Sequence, residues 1–278
     1  MIVVGIPIAT IATSQGAPPG ALELVCVSIS ATAAFVEHDA RGRPCLERWL
    51  TATELEAFDA FVVPKRRRDW LAGRLAAKEA VRGRLRLERA DNYCEIEIRT
   101  SDGGGDFGRP QYLLSGEPGE FSLSISHAGD TAVATLAPRA GEQVGVDIEC
   151  VQETDASFEA VALSPAERRR VESLSGTARW RAITTIWVIK EAFLKALGVG
   201  LRMPLAHLSV DSRLWEATSK ASAEAPREMA FAIDRRATHL HPLLAELDRV
   251  RSVASTFVLG EALGAWVTLS AREDPCNL

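Results

Sequence analysis

The chain repeats itself. Leu50-Thr51-Ala52-Thr53-Glu54 has a counterpart in Leu163-Ser164-Pro165-Ala166-Glu167, and Lys78-Glu79-Ala80 has one in Lys190-Glu191-Ala192, at offsets of 113 and 112 residues. Two marks held at nearly one offset constrain folding strongly, because each copy must then close a core around the same local plan. In each copy Ser, Thr or Pro stands ahead of a glutamate, the signature of a capped helix start, and a charged segment leads into a long amphipathic helix. Alternating strands come next: Glu95 to Ile98, Ser122 to Ile125 and Ala132 to Leu136 in the first copy, then Leu208 to Val210, Met229 to Ile233 and Gly264 to Leu269 in the second. The expected fold class is α+β, a pseudo-dimer of two similar halves. Residues 1–140 and 141–278 are the expected halves, joined through Pro138-Arg139-Ala140-Gly141-Glu142. A site between them accords with the tendency of pockets to form at domain interfaces.

The second half carries the stretch richest in chemistry. In Gly145-Val146-Asp147-Ile148-Glu149 the acids alternate with apolar residues, so on a strand both carboxylates project from one face and the apolar pair is buried behind them. Side chains two apart arise roughly 6.5–7 Å from each other. Two carboxylates can therefore converge on one hard cation, which shares its remaining positions with water and substrate phosphates. Downstream, Ile183, Ile186, Trp187, Phe193, Leu194 and Leu197 recur at helical spacing, and Gly198 and Gly200 supply the stop. Trp187, Glu191 and Lys195 line one stripe of that helix. Glu191 suits a third ligand or a base, and Lys195 a phosphate partner.

The first half supplies cations. Arg66, Arg74 and Lys78 are spaced to lie near a common face of the helix that follows Lys65-Arg66-Arg67-Arg68. Arginine suits phosphate oxygens because its fork bonds two at once. Gly103-Gly104-Gly105-Asp106-Phe107-Gly108 lacks the lysine and hydroxyl of a P-loop and reads as a flexible turn ending in Arg109. Phe121-Ser122-Leu123-Ser124-Ile125-Ser126-His127 and Thr131 to Ala137 read as a hairpin whose turn region carries Ser126, His127 and Asp130.

A net charge of −5 argues against a general nucleic-acid binder, whose affinity rests on many cationic phosphate contacts. The five cysteines, Cys26, Cys45, Cys94, Cys150 and Cys276, form no Cys-x-x-Cys pair, so neither zinc nor a disulfide framework is indicated; free thiols fit a reducing, cytoplasmic setting. Residues 1–12 are apolar, but the run is too short to span a membrane and no basic residue precedes it, so it is expected as an accessory strand or an extension. Gln15-Gly16-Ala17-Pro18-Pro19-Gly20 reads as a loop.

Four blocks in order resemble the 4′-phosphopantetheinyl transferases of the Sfp type: Trp70-Leu71-Ala72-Gly73-Arg74; Gly108-Arg109-Pro110 leading to Ser126-His127; Gly145 to Glu149; and Trp187 to Leu201. The resemblance covers about residues 50 to 210. It implies coenzyme A bound between two α+β halves. It also implies transfer of the phosphopantetheine arm to a serine of an apo acyl or peptidyl carrier protein, with release of adenosine 3′,5′-bisphosphate. Carried over by position, Asp147, Glu149 and Glu191 hold Mg²⁺ against the diphosphate, and Glu191 helps remove the serine proton. Lys195 stabilises the leaving phosphate, while Arg66, Arg74, Arg109 and His127 grip the 3′-phosphate and diphosphate end and Ser126 contacts the nucleotide. Ala57 stands where some relatives have a basic residue, and that role would pass to Lys65-Arg66-Arg67-Arg68. The implied protein is a monomer with no nucleic-acid or membrane partner. Two other readings compete: a coenzyme-A-binding or carrier-docking protein without transfer activity, and a metal-dependent nuclease. The first has no need of Glu191 beside Lys195. The second wants a lysine just after Glu149, where Cys150 and Val151 stand.

Overall fold

The computed structural model describes residues 2–3, 6–12, 22–38, 43–87, 93–100, 108–200, 203–216, 227–229, 231–233 and 250–271. The loop expected at Gln15 to Gly20, the turn from Gly103 to Phe107, Leu201 and Cys276 lie outside these residues. The chain divides into two compact units, Met1–Ala140 and Gly141–Leu278. Among the described residues no helix is long and apolar enough to cross a membrane.

In the first unit the elements run β1 (Ile2–Val3), β2 (Ile6–Ala12), β3 (Glu23–Ser28), α1 (Ile29–His38), α2 (Arg43–Trp49), α3 (Ala52–Ala60), α4 (Pro64–Leu85), β4 (Ile96–Thr100), β5 (Pro110–Leu114), β6 (Glu117–Pro118), β7 (Leu123–Ala128) and β8 (Thr131–Leu136). The sheet order is β1-β2-β3-β8-β7, with β4-β5-β6 as a separate sheet. Of the two readings of the N-terminal apolar run, the accessory strand is the one observed, since β2 pairs antiparallel with β3. A capping box starts α3: Thr51 Oγ1 accepts from Glu54 N while Glu54 Oε2 accepts from Thr51 N. Pro64 opens α4, where its missing N–H is no loss, and Arg86 ends it in a left-handed turn. Small residues at Ala72, Ala76 and Ala77 let α4 lie over β3 and β8, with Trp49, Leu50, Val81 and Leu123 filling the core. Asp130 is a structural residue, accepting from Ser28 Oγ, Ser30 Oγ and Ser30 N at the start of α1.

The second unit runs β9 (Gln143–Cys150), α5 (Ala156–Ala162), α6 (Pro165–Val171), α7 (Gly176–Leu197), a short 3₁₀ turn (Leu205–His207), β10 (Leu208–Val210), α8 (Ser212–Glu216), β11 (Arg227–Met229), β12 (Phe231–Ile233), β13 (Val250–Leu259) and β14 (Ala262–Ala271). The main sheet is β11-β13-β14-β9, and α7 lies over β9 and β14. The single strand expected from Met229 to Ile233 is two: Met229 pairs with Ser252 in the main sheet, whereas Phe231 pairs with Val210 in a separate two-stranded ladder. Ile183, Ile186, Val188, Phe193 and Leu194 bury the inner face of α7, and Gly198 closes the helix at φ 73°.

The repeat extends to individual hydrogen bonds. In the first unit Lys78 Nζ donates to the Glu54 carboxylate, to Trp49 O at 2.7 Å and to Tyr93 O at 3.3 Å, and Glu54 also accepts from Thr51 N and Ile98 N. In the second, Lys190 Nζ donates to Glu167 at 2.6 Å, to Ala162 O at 2.8 Å and to Leu205 O at 3.1 Å, and Glu167 also accepts from Ser164 N and Val210 N. Every group in one node has its counterpart 112 or 113 positions along in the other. Both lysines are 0% exposed. A buried ammonium is tolerable here because each of its three protons has an acceptor. Lys78 is therefore not a pocket cation, contrary to its spacing from Arg66. Twelve helical positions leave the two about 120° apart, enough to aim one outward and the other into the core.

Candidate functional site

Strand β9 and helix α7 bring the second-half acids together. Val146 and Ile148 are fully buried as the alternation requires, and Asp147 and Glu149 occupy the opposite face of the strand. Gly145 makes the approach of the helix geometrically allowed: a Cβ there would stand 1.8 Å from Ala192 O and 2.6 Å from Ala196 N. With no side chain between them, Lys195 Nζ reaches Asp147 Oδ1 at 2.7 Å and Val146 O at 3.1 Å.

Glu191 stands one helical turn before Lys195. Burial and then the Asp147 charge push its pKa up to about 7, with Glu149 adding to the rise and Lys195 opposing it. Glu149 is raised as well, by burial first and by Asp147 second. Glu191 Oε1 is buried and meets no hydrogen-bond donor. Three carboxylates thus crowd one another around a single lysine, an arrangement that favours a proton or a cation.

Among the described residues no three or more His, Cys, Asp and Glu side chains are grouped so as to enclose a metal ion by themselves. Magnesium bound alongside a diphosphate requires less, since it takes one or two carboxylates and fills its octahedron with water and phosphate oxygens. The unpartnered Glu191 oxygen and the mutual repulsion of the acids fit that requirement. The counterpart of Glu191 in the first unit has a different setting. Glu79 accepts from Tyr93 OH at 2.9 Å and from Arg82 at 3.1 Å, and no acid pair stands on β3.

The first unit holds a cleft of about 440 Å³ whose lining includes Arg66, Arg74 and His127, with Phe61 and Trp70 as aromatic walls and Asp69 as the lone acid. The Phe61 and Trp70 rings are 5.7 Å apart, and the Arg74 guanidinium lies 4.7 Å over Trp70. Burial lowers the Arg74 pKa, opposed by the Glu54 charge. Arg74 Nε is buried without a hydrogen-bond partner. Such a group is suited to a bidentate oxyanion ligand.

Of the residues proposed from sequence, Arg66, Arg74 and His127 line this cleft, and Arg109 lies between its lining residues Gly108 and Pro110 without lining it itself. Ser126 does not line the cleft. Strand alternation on β7 turns Ile125 and His127 to the cleft and leaves the Ser126 side chain buried on the other face. Asp147, Glu149, Glu191 and Lys195 gather on the second unit. Sequence reasoning missed the packing role of Gly145, the placing of Asp69 in a cationic cleft, and both buried lysines. The small residues Ala192 and Ala196, one turn apart opposite a strand glycine, were the available signal for the first.

The comparisons with known proteins agree with one another. A family model described as the 4′-phosphopantetheinyl transferase superfamily matches residues 143–241. A phosphopantetheinyl transferase of Thraustochytrium sp. is 31% identical over 205 residues, covering 69% of this chain and 66% of that protein. The L-aminoadipate-semialdehyde dehydrogenase-phosphopantetheinyl transferase of Homo sapiens is 27% identical over 187 residues, covering 60% and 56%. A holo-[acyl-carrier-protein] synthase of Streptococcus agalactiae is 37% identical over 99 residues, covering 34% of this chain and 78% of that protein. The chain thus spans 66% and 56% of the length of the first two.

Proposed function

The chain belongs to the 4′-phosphopantetheinyl transferase superfamily, and we propose that it moves the phosphopantetheine arm of coenzyme A onto a serine of an apo acyl or peptidyl carrier protein, releasing adenosine 3′,5′-bisphosphate. The four sequence blocks favour the Sfp type, acting as a monomer. The observation that carries the activity is the crowding of Glu191 by Asp147 and Glu149 beside Lys195. A protein that only bound coenzyme A would have no use for a buried, proton-seeking carboxylate in that position.

In the reaction the carrier serine oxygen bonds to the pantetheine-side phosphorus, the bridging P–O bond breaks, and its electron pair leaves with adenosine bisphosphate. Glu191 takes the serine proton directly or through a water. Magnesium drawn to the cluster of Asp147, Glu149 and Glu191, and held by one or two of these carboxylates at a time, would neutralise charge on the diphosphate oxygens. Lys195 supplies positive charge for the leaving phosphate. Arg66, Arg74, Arg109 and His127 hold the 3′-phosphate and diphosphate end, and Ser126 contacts the nucleotide. The acids belong to the second unit and the phosphate-gripping cations to the first.

The test is incubation with coenzyme A, magnesium and apo carriers from fatty-acid, polyketide and peptide synthases, read by intact mass. At least one carrier gains a single phosphopantetheine, and Glu191→Ala removes most of that gain while the protein stays folded. If no carrier changes mass, the proposed activity is wrong.

A further inference from the structure

We propose that the two buried lysine–glutamate nodes are positioning devices with different duties: Lys190–Glu167 sets the rotation of α7 and so the place of Glu191, and Lys78–Glu54 sets α4 and so the place of Arg74. The inference rests on the function proposed above. It starts from the node's connections. Lys190 ties α7 to the end of α5 through Ala162 O, to the start of α6 through Glu167, and to the segment leading into β10 through Leu205 O. Val210 N on β10 closes the far side through Glu167. The helix is thereby fixed in rotation and height from two directions.

Glu191 follows Lys190 directly, so the two side chains leave the helix about 100° apart and move together when it turns. A twist of about 20° would swing a group some 5–6 Å from the axis by about 2 Å. Misplacement by about 1 Å is enough to cost around a hundredfold in rate. In the first unit Arg74 precedes Lys78 by one turn, and the node carboxylate Glu54 acts on the Arg74 charge. One hydrogen-bonding plan thus serves proton transfer in one unit and phosphate binding in the other.

A purely structural role would make the two nodes equivalent, so each copy is a control for the other. Lys190→Met and Lys78→Met are compared at a temperature where circular dichroism shows both fully folded. The paired variants Glu167→Gln/Lys190→Met and Glu54→Gln/Lys78→Met avoid a stranded buried carboxylate should either single change prevent folding. Kinetics of transfer to an apo carrier and calorimetric binding of coenzyme A are read together. Lys190 variants lower kcat by about tenfold to a hundredfold with a small change in coenzyme A affinity. Lys78 variants weaken coenzyme A binding by about tenfold, and their loss appears in KM. Folded variants with parental kcat and affinity overturn the proposal, as does the same parameter changing alike at both nodes. A parent protein that modifies no carrier defeats the transferase reading instead, and the coenzyme A affinity of the Lys78 variants then decides the first-unit half alone.

Discussion

Replacing Glu191 by glutamine removes one charge from the crowded acid cluster while keeping the shape of the side chain, so its effect on stability isolates the electrostatics. In the folded protein the Glu191 pKa rises from 4.5 to about 7. Its folded value lies above its unfolded value, so the associated stability is fully present below about pH 4.5 and is lost as pH rises through 7. The full shift corresponds to about 3.4 kcal/mol at about 1.4 kcal/mol per unit. Screening at a half-buried group reduces this to about 1–2 kcal/mol. In metal-free buffer Glu191→Gln should therefore match the parent in Tm near pH 4.5 and exceed it by about 2–8 °C at pH 8. Differential scanning calorimetry in the presence of a chelator reads the difference. Magnesium should narrow the gap at pH 8 by stabilising the parent and not the variant. A Tm difference independent of pH would refute the crowding on which the site reading depends.

Gly145→Ala should be among the most damaging single changes, since the added methyl would stand 1.8 Å from Ala192 O and must force α7 off β9. A loss of about 3 kcal/mol or more is expected from urea denaturation. Arg74→Ala should weaken coenzyme A binding by about tenfold to a hundredfold, the value of charge-assisted hydrogen bonds to one guanidinium, and calorimetry measures it. Lys195→Met removes the charge that opposes the rise at Glu191, so the acid limb of the transfer pH profile should move to higher pH.

Much of the fold was legible in the chain because helix and strand periods mark buried faces directly. The apolar spacing from Ile183 to Leu197 gave α7, the alternation of Ser124, Ile125 and Ser126 gave β7, and the cap signals before Glu54 and Glu167 gave the starts of α3 and α6. What spacing does not give is the sense of a charged group. Lys78 and Arg74 lie one turn apart on α4, yet one is sealed in the core and the other lines a cleft. Only the partner decides which, and Glu54 stands 24 residues away in sequence. The clue was that Glu167 and Lys190 keep nearly the same separation, 23 residues. Met229 to Ile233 was unreadable for another reason: short apolar segments carry no signal of which ladder they join.

The site's acids were legible as a set because alternation on β9 and a four-residue step on α7 each put charges on one face. Their electrostatic coupling was not, since it depends on how closely the helix lies against the strand. That distance is set by Gly145, whose importance lies in the atoms it lacks.

The central claim is that Glu191, within the acid cluster, carries magnesium-dependent transfer. Initial rates of coenzyme-A-dependent carrier modification, measured across magnesium concentration for the parent and for Glu191→Gln, test it most directly. The account predicts a saturable rise with magnesium for the parent and a flat, near-zero line for the variant. Superimposable curves for the two proteins, or a parental rate unchanged by chelator, would contradict it.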